Sequence, residues 1–536
     1  MQNGCQRGLM STESSSHNSH AKVLKKWEII LYISVLVLYA AASIYLMFCH
    51  EVWRDESQAW VLAKQLSWTQ IPSICQSEGH PCLWFYLVKI SIVLGLPFKY
   101  FGLLSITFMT LAAGLFLFRS DFHWISKILV ILSPLFFYYN PVICRIYSAL
   151  MLLICALCAL WKDRHEKPLI YALLVALLFQ SHVLIFGLAI GCTLDMGINL
   201  IMNRKHRDIR HFAGLFIAVF SFALMILELK QDPGSSNYIN ITFDYILNRL
   251  KEINWLSYLL SVSVPLDINE FRIGFVVLLA MLLAVIVFLF LAFDPGFRKE
   301  HLNEGLVFLC AAGVYFGIII FVRTADHIQM SIVLCMIVLF FFWTLRDVKK
   351  GWLFEILLLL MCVPLIPKSL VIDPLFDIRD SYSGSKEMAE MIEENAEDGS
   401  VILINNNYLS TSMIAYLSDS PKKFVFWDID NDREFFIHKW GEDDPVTIDE
   451  TNIGKFAEGS IKNGSLSGSI YYVKGNTYVT EIKNGQIHIT GVFDDDTRIY
   501  EPDVVTNKAL TLIGRNRKVN TWNEYYLLYK FNKQHA

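Results

Sequence analysis

Charge is what this sequence has least of. Only 18% of its 536 residues are Asp, Glu, Lys or Arg, against about 25% in soluble domains. The formal balance is -4, which argues against a nucleic-acid partner, since such a partner calls for a basic surplus. Several catalytic signatures are missing too. There is no Walker phosphate loop, no GxSxG elbow and no HExxH pair, so ATP-driven transport, serine hydrolysis and zinc proteolysis have no support. No internal repeat and no low-complexity segment beyond a polar N-terminal tail occurs. Most of the 11 cysteines (Cys144, Cys155, Cys158, Cys192, Cys310, Cys335 and Cys362) sit inside apolar runs, where a thiol acts as a small hydrophobe. Cys49, Cys75 and Cys82 flank one acidic loop, where unpaired packing thiols and a single disulfide are both open.

In place of charge there are long apolar runs. Hydrophobic residues make up 54% of the chain and aromatics 14%, more than one soluble core can bury, in stretches long enough to span a bilayer. The expected fold is a polytopic α-helical membrane protein with about 11 transmembrane helices and a C-terminal soluble α/β domain. The spans are 29–48, 101–118, 124–141, 146–161, 168–186, 187–202, 212–229, 273–293, 304–321, 327–345 and 352–371. The first run is too long for a signal-peptide core and lacks a small-residue cleavage pattern, so it reads as a retained helix. Residues 1–26 then form a cytoplasmic polar tail, with Lys22, Lys25 and Lys26 just ahead of the first span.

One further apolar run, 82–98, decides the topology. If it crosses, Lys162/Arg164/Lys167, Arg204/Lys205/Arg207/Arg210, Arg298/Lys299 and Arg346/Lys349/Lys350 all face outside. If it lies flat, every one of these clusters falls inside with the N-terminal lysines, as the positive-inside bias favours. Residues 82–98, with Lys89 in the middle, therefore read as an interfacial helix. The membrane domain spans 27–371 and its first outer loop, 49–100, is extracytoplasmic. The apolar stretch 255–265 reads as another interfacial element. Past Pro374 the composition turns soluble: helical spacing at Met388, Met391 and Ile392, and strand-like runs at 401–404, 424–427, 470–473 and 525–531, predict an extracytoplasmic α/β domain over 372–536. The setting is the plasma membrane.

Two motifs lie in the first outer loop. The first is Trp53-Arg54-Asp55-Glu56-Ser57-Gln58-Ala59-Trp60, directly after the first span. Carboxylates at a membrane mouth are costly, hence functional candidates, and an ionised Asp there can take a proton from a hydroxyl or help hold a metal. The same residues also read as a helix start with acidic first-turn residues. The second is Glu78-Gly79-His80-Pro81. Pro81 fits the first turn of a helix, which places His80 near its N-cap, suited to a phosphate or a metal; an ordinary loop histidine is the alternative. Arg145, Arg323 and His327 fall on the same outer face, with His182 in reach. Basic groups opposite an acid are what a phosphate leaving group needs, although juxtamembrane arginines also snorkel to headgroups and bundle histidines also simply pack.

These residues resemble the C-type glycosyltransferases of the GT-C fold. The nearest are the protein O-mannosyltransferase and aminoarabinose transferase branch and the bacterial RgtA/B/C/D-like membrane proteins. The Asp55-Glu56 element with Glu78-Gly79-His80-Pro81 is similar to that group's motif, and Ser133-Pro134 through Arg145-Ile146-Tyr147-Ser148-Ala149-Leu150 to another; together they cover about 27–345. The resemblance implies an inverting transfer of a sugar from a polyprenyl-phosphate carrier to an extracytoplasmic glycan, lipid or protein. It implies Asp55 as the catalytic acid or base, with Glu56 in support. It implies His80 at the phosphate, joined by Arg145, Arg323, His327 and His182. A divalent metal on Asp55 and Glu78 is also implied, although the family's acidic ligand position is Gly79 here. Two other classes fit a polytopic chain: a lipid-linked-sugar transporter or flippase, and a non-enzymatic envelope assembly protein. The first calls for inverted repeats and broken midplane helices, and the second has no use for Asp-Glu and His-Pro at one mouth.

Overall fold

The computed structural model describes residues 24–230, 242–252, 301–321, 328–348, 350–379, 381–404, 407–429, 433–435, 468–476, 479–483, 486–490, 497–500, 510–516 and 524–532. The membrane part is helical: α1 (Lys26–Cys49), α2 (Arg54–Gln65), α3 (Ile71–Glu78), α4 (Leu83–Val93), α5 (Leu103–Arg119), α6 (Trp124–Ile131), α7 (Tyr147–Leu160), α8 (Pro168–Phe179), α9 (Phe186–Met202), α10 (Ile209–Glu228), α11 (Phe243–Glu252), α12 (Leu302–Phe321), α13 (Ile328–Thr344), α14 (Trp352–Cys362) and α15 (Asp373–Arg379).

Among the described residues, six helical stretches are long and apolar enough to cross a membrane: Lys26–Cys49, Phe98–Arg119, Val183–Met202, Ile209–Glu228, Leu302–Phe321 and Trp352–Arg379. The chain is a membrane-embedded helical protein. In α1 the inward positions Tyr32, Tyr39, Ser43 and Leu46 recur at helical spacing, while Ile30, Ile33, Val37 and Leu38 stay exposed. Such a helix is apolar all round because lipid covers whatever the bundle does not.

Six such stretches among the described residues do not confirm the count of eleven. The expected span 124–141 is helical only over α6 and then turns irregular, because Pro134 and Pro141 lack an N–H and clash with a helical backbone. Irregular backbone at membrane depth is tolerated where protein buries it, and residues 135–144 are buried throughout. Tyr138 within this segment has φ 69°, the only positive value outside glycine among the described residues. The expected spans 146–161 and 168–186 appear as helices of 14 and 12 residues. The expected span 352–371 runs on to Arg379 through a π-helical turn at Lys368–Ile372. Pro374 does not end it, because it lies in the first turn of α15, where a missing N–H costs little. The expected elements at 273–293 and 255–265 lie outside the described residues.

Helices α9 and α12 cross closely through Gly187 and Gly191. A Cβ on Gly187 would meet the Cys310 carbonyl oxygen at 2.3 Å, and one on Gly191 the Val307 Cα at 2.7 Å. This is the small-residue spacing that lets membrane helices approach closely.

The chain leaves α1 and enters α5 at the same end of the bundle, with the Phe48 and Tyr100 rings 6.2 Å apart. Helix α4 therefore does not carry the chain to the opposite end. Lys89 on α4 donates to the Ala63 and Leu66 carbonyls at the end of α2. At the far end of the bundle lies a separate charged cluster. Asp195 accepts from Arg164 Nε (2.9 Å), Asn303 (2.8 Å) and the Tyr171 hydroxyl (3.1 Å), and Arg164 also reaches Glu304 at 3.4 Å. Arg346 pairs with Glu355 at 2.6 Å, and Lys162 with Asp121 at 3.1 Å.

The C-terminal part carries α16 (Ser385–Asn395), α17 (Asn407–Leu417), β1 (Val401–Ile404), β2 (Val425–Asp428), β3 (Arg433–Glu434), β4 (Ile470–Asn476), β5 (Val479–Lys483), β6 (Gln486–Thr490), β7 (Thr497–Tyr500), β8 (Leu510–Arg515) and β9 (Tyr525–Phe531). One sheet has the order β3-β2-β1-β4-β9-β8, and a second has β5-β6-β7. Strand β1 is parallel to β2 and β4, so α17 is the crossover between β1 and β2. Buried side chains of α17 (Met413, Ile414, Leu417) share one apolar cluster with Trp60, Val61 and Leu62 of α2. At about 1.5–3 kcal/mol for each buried side chain of that size, this seats the sheet domain firmly on α2.

Candidate functional site

The site is built where α1 ends. His50 caps α1 in an extended conformation, and three residues later α2 begins. Glu56 is in the first turn of α2 and is fully buried. It accepts from the Trp53 N–H (3.3 Å), the Cys144 N–H (2.5 Å) and His50 Nε2 (3.0 Å). The other ring nitrogen of His50 lies 3.0 Å from Asp377 on α15, which also accepts from the Tyr138 hydroxyl at 2.9 Å. Both nitrogens thus face carboxylates. Burial opposes a charged imidazole there, but Asp377 and then Glu56 outweigh it and raise the His50 pKa to about 10. Glu56, expected beside Asp55 as catalytic support, is buried and joins α1, α2 and the segment before α7.

Asp55 faces the other way and is partly exposed. Its carboxylate lies 3.1 Å from Arg145 Nη1 and 3.6 Å from Arg54 Nε. The Arg145 guanidinium sits over the Tyr147 ring (5.6 Å) and near that of Trp53 (6.0 Å). The Tyr147 hydroxyl is 3.4 Å from His182 Nε2. His182 Nδ1 accepts the Leu184 N–H at 3.2 Å, which leaves Nε2 to carry the proton and donate to Tyr147. The His80 and His182 rings are 4.8 Å apart. Gln58, one turn along α2 from Asp55, donates to Glu78 at 3.0 Å.

Asp55, Arg145, His182 and His80 therefore form one continuous constellation, with Glu78 on its border. Arg323 and His327 lie outside the described residues. Pro81 was expected in the first helical turn, but it precedes the N-cap Cys82, so His80 sits in the turn between α3 and α4, just past Gly79 (φ 67°). Among the described residues no three His, Cys, Asp or Glu side chains come together as a metal's ligands. Asp55 faces two guanidinium groups, so among the described residues the divalent metal expected on Asp55 and Glu78 finds no third donor.

Sequence reasoning missed His50, Asp377 and Glu524. Asp377 lies at the end of an apolar helix, where an acid is itself a signal. Glu524, from the C-terminal domain, gave no local signal at all. Its Oε1 accepts the Arg54 N–H at 3.0 Å, capping α2, while Oε2 accepts from Ser383 (2.5 Å) and Ser385 (3.0 Å). Ser57 meets Ser412 at 2.8 Å, and the Val52 N–H donates to the Tyr416 hydroxyl at 2.7 Å. Burial pushes Glu524 up to about 7, and likewise Glu51, which accepts from Ser381 at 3.3 Å.

No family model matches this chain, and no curated protein matches it either.

Proposed function

We propose that the chain is a membrane glycosyltransferase of the GT-C type. It moves a sugar from a polyprenyl-phosphate carrier to a hydroxyl of an extracytoplasmic glycan, lipid or protein. In this reading the protein is a multi-pass plasma-membrane protein with its N-terminus in the cytoplasm and the α/β domain outside. The observation that carries the reading is the Asp55–Arg145 pair, partly open to solvent, with Tyr147, His182 and His80 ranked behind it. A lipid phosphate is already a weak base, so its departure needs no general acid. Two tasks remain: deprotonating the acceptor, given to Asp55, and neutralising the departing phosphate, given to Arg145 with His80 and His182. Arg323 and His327 belong to the same proposal by sequence position.

The pairing orders these tasks. A carboxylate held by a guanidinium is a poor base, and a phosphate is a strong bidentate competitor for that guanidinium. Donor binding thus takes Arg145 from Asp55 and frees its carboxylate for the acceptor hydroxyl as the acceptor arrives. One displacement at the anomeric carbon inverts it. The test is sugar transfer by membranes carrying the wild-type protein or Asp55→Asn, supplied with a panel of polyprenyl-phosphate sugars. Transfer that persists at the wild-type rate in a normally inserted Asp55→Asn protein removes the reading and leaves the transporter and assembly alternatives.

A further inference from the structure

Cys75 and Cys82 stand at the two ends of the short segment that carries Glu78, Gly79 and His80. Cys75 is in the second half of α3, Cys82 is the N-cap of α4, and Gly79 with its left-handed backbone folds one back toward the other. Both side chains are buried, and their sulfurs are in direct contact at 2.6 Å. Two cysteines can be bridged without moving the backbone only when their side chains already face each other, and these do. The Glu228 carboxylate, at the end of α10, lies near Cys82 and can take up a departing proton. Cys144 differs: its thiol meets the Ser105 hydroxyl and the Phe101 carbonyl, both at 3.4 Å.

We infer that Cys75 and Cys82 are joined as a disulfide in the membrane-inserted protein, closing 76–81 into a ring that fixes His80 beside His182. The two S–H bonds break and one S–S bond forms. The two electrons and two protons pass to the disulfide of an extracytoplasmic thiol–disulfide oxidoreductase, which leaves as a dithiol. This rests on the first loop lying outside the cytoplasm, where such bonds persist, and not on the transfer reaction.

Cells expressing the full chain are quenched in acid before lysis, and the denatured protein is alkylated before and after reduction. Of the 11 cysteines, two are expected to escape the first alkylation, leaving nine labelled. A non-reduced digest is expected to yield a peptide linked through Cys75 and Cys82. Eleven labelled cysteines before reduction, a link that appears only after exposure to air, or a link through Cys49 overturns the inference. A second readout covers the fold. In the paired Cys75→Ser/Cys82→Ser variant, amide exchange over 76–81 is expected to rise about tenfold or more, with α9 and α12 unchanged. Exchange unchanged from the wild type counts against the ring.

Discussion

Arg145 and Asp55 are held 3.1 Å apart although one precedes α7 and the other opens α2. In the proposed transfer the pair would bring a proton acceptor and a phosphate partner together. Asp55→Asn is expected to lower sugar transfer by about 10²–10⁴-fold, and Arg145→Ala by about 10²–10³-fold. Arg145→Lys keeps the charge but loses the planar fork, so it is expected to fall between Arg145→Ala and wild type. Rates from polyprenyl-phosphate sugar panels, normalised to inserted protein, measure all three. An Arg145→Ala protein with wild-type transfer would remove that residue from the leaving-group role.

His50 is expected to link stability to alkaline pH. Its folded-state pKa of about 10 lies above the ordinary 6.5. The contribution is therefore complete below about 6.5 and is lost as pH rises through about 10. Thermal unfolding of the solubilised protein from pH 6 to 10.5 should show a falling midpoint. His50→Ala leaves Glu56 and Asp377 buried without their cation, which costs about 3–5 kcal/mol. An alkaline slope that survives in that variant would assign the effect elsewhere.

Glu524 and Glu51 act over a lower window. Each is raised from an ordinary 4.5 to about 7, so the folded protein binds more protons than the unfolded chain between those values. Docking of the sheet domain on α2 is thus expected to be firmest below about 4.5 and to lose up to ~3 kcal/mol for Glu524 as pH rises through about 7. Glu524→Gln keeps a carbonyl oxygen for the Arg54 N–H and removes that titration, so the pH dependence of amide exchange over 54–57 should shrink, leaving the part due to Glu51. A slope as steep as the wild type's in that variant would exclude Glu524 as a source.

The charged cluster at the far end provides a contrast. Asp195→Ala strips Arg164, Asn303 and Tyr171 of a shared acceptor and is expected to cost about 3–5 kcal/mol. Transfer per folded molecule is expected to stay within about twofold of wild type, since that end holds none of the assigned reacting groups. Parallel melting and transfer assays separate the two effects.

How much of this was legible in the sequence follows from the range of each signal. Asp55, Arg145, His182 and His80 each stand beside an apolar run or a proline, and charge alternation alone put them on one face; the structure brings these four together. The strands at 401–404, 470–473 and 525–531 were visible as short β-branched and aromatic runs. The break after α6 was under-read because an apolar run looks continuous until Pro134 and Pro141 are weighed against it. The Gly187–Gly191 crossing went unread, although its spacing was in plain view. Asp55 and Glu56 look alike in sequence, whereas a helix sends neighbours in directions about 100° apart. One met His50 and the backbone, the other met guanidinium groups. Nothing near Glu524 pointed to α2, because a contact across the whole fold leaves no local pattern.

That last contact sets an order of assembly. The N–H that Glu524 satisfies belongs to Arg54, 470 residues earlier. During synthesis the membrane helices and the turn bearing His80 can all be in place while the opening amide of α2 still waits. A chain interrupted before Glu524 would leave the opening amide of α2, next to Asp55, without this acceptor. The first turn of α2 is thus completed by a residue that the chain supplies 470 positions later.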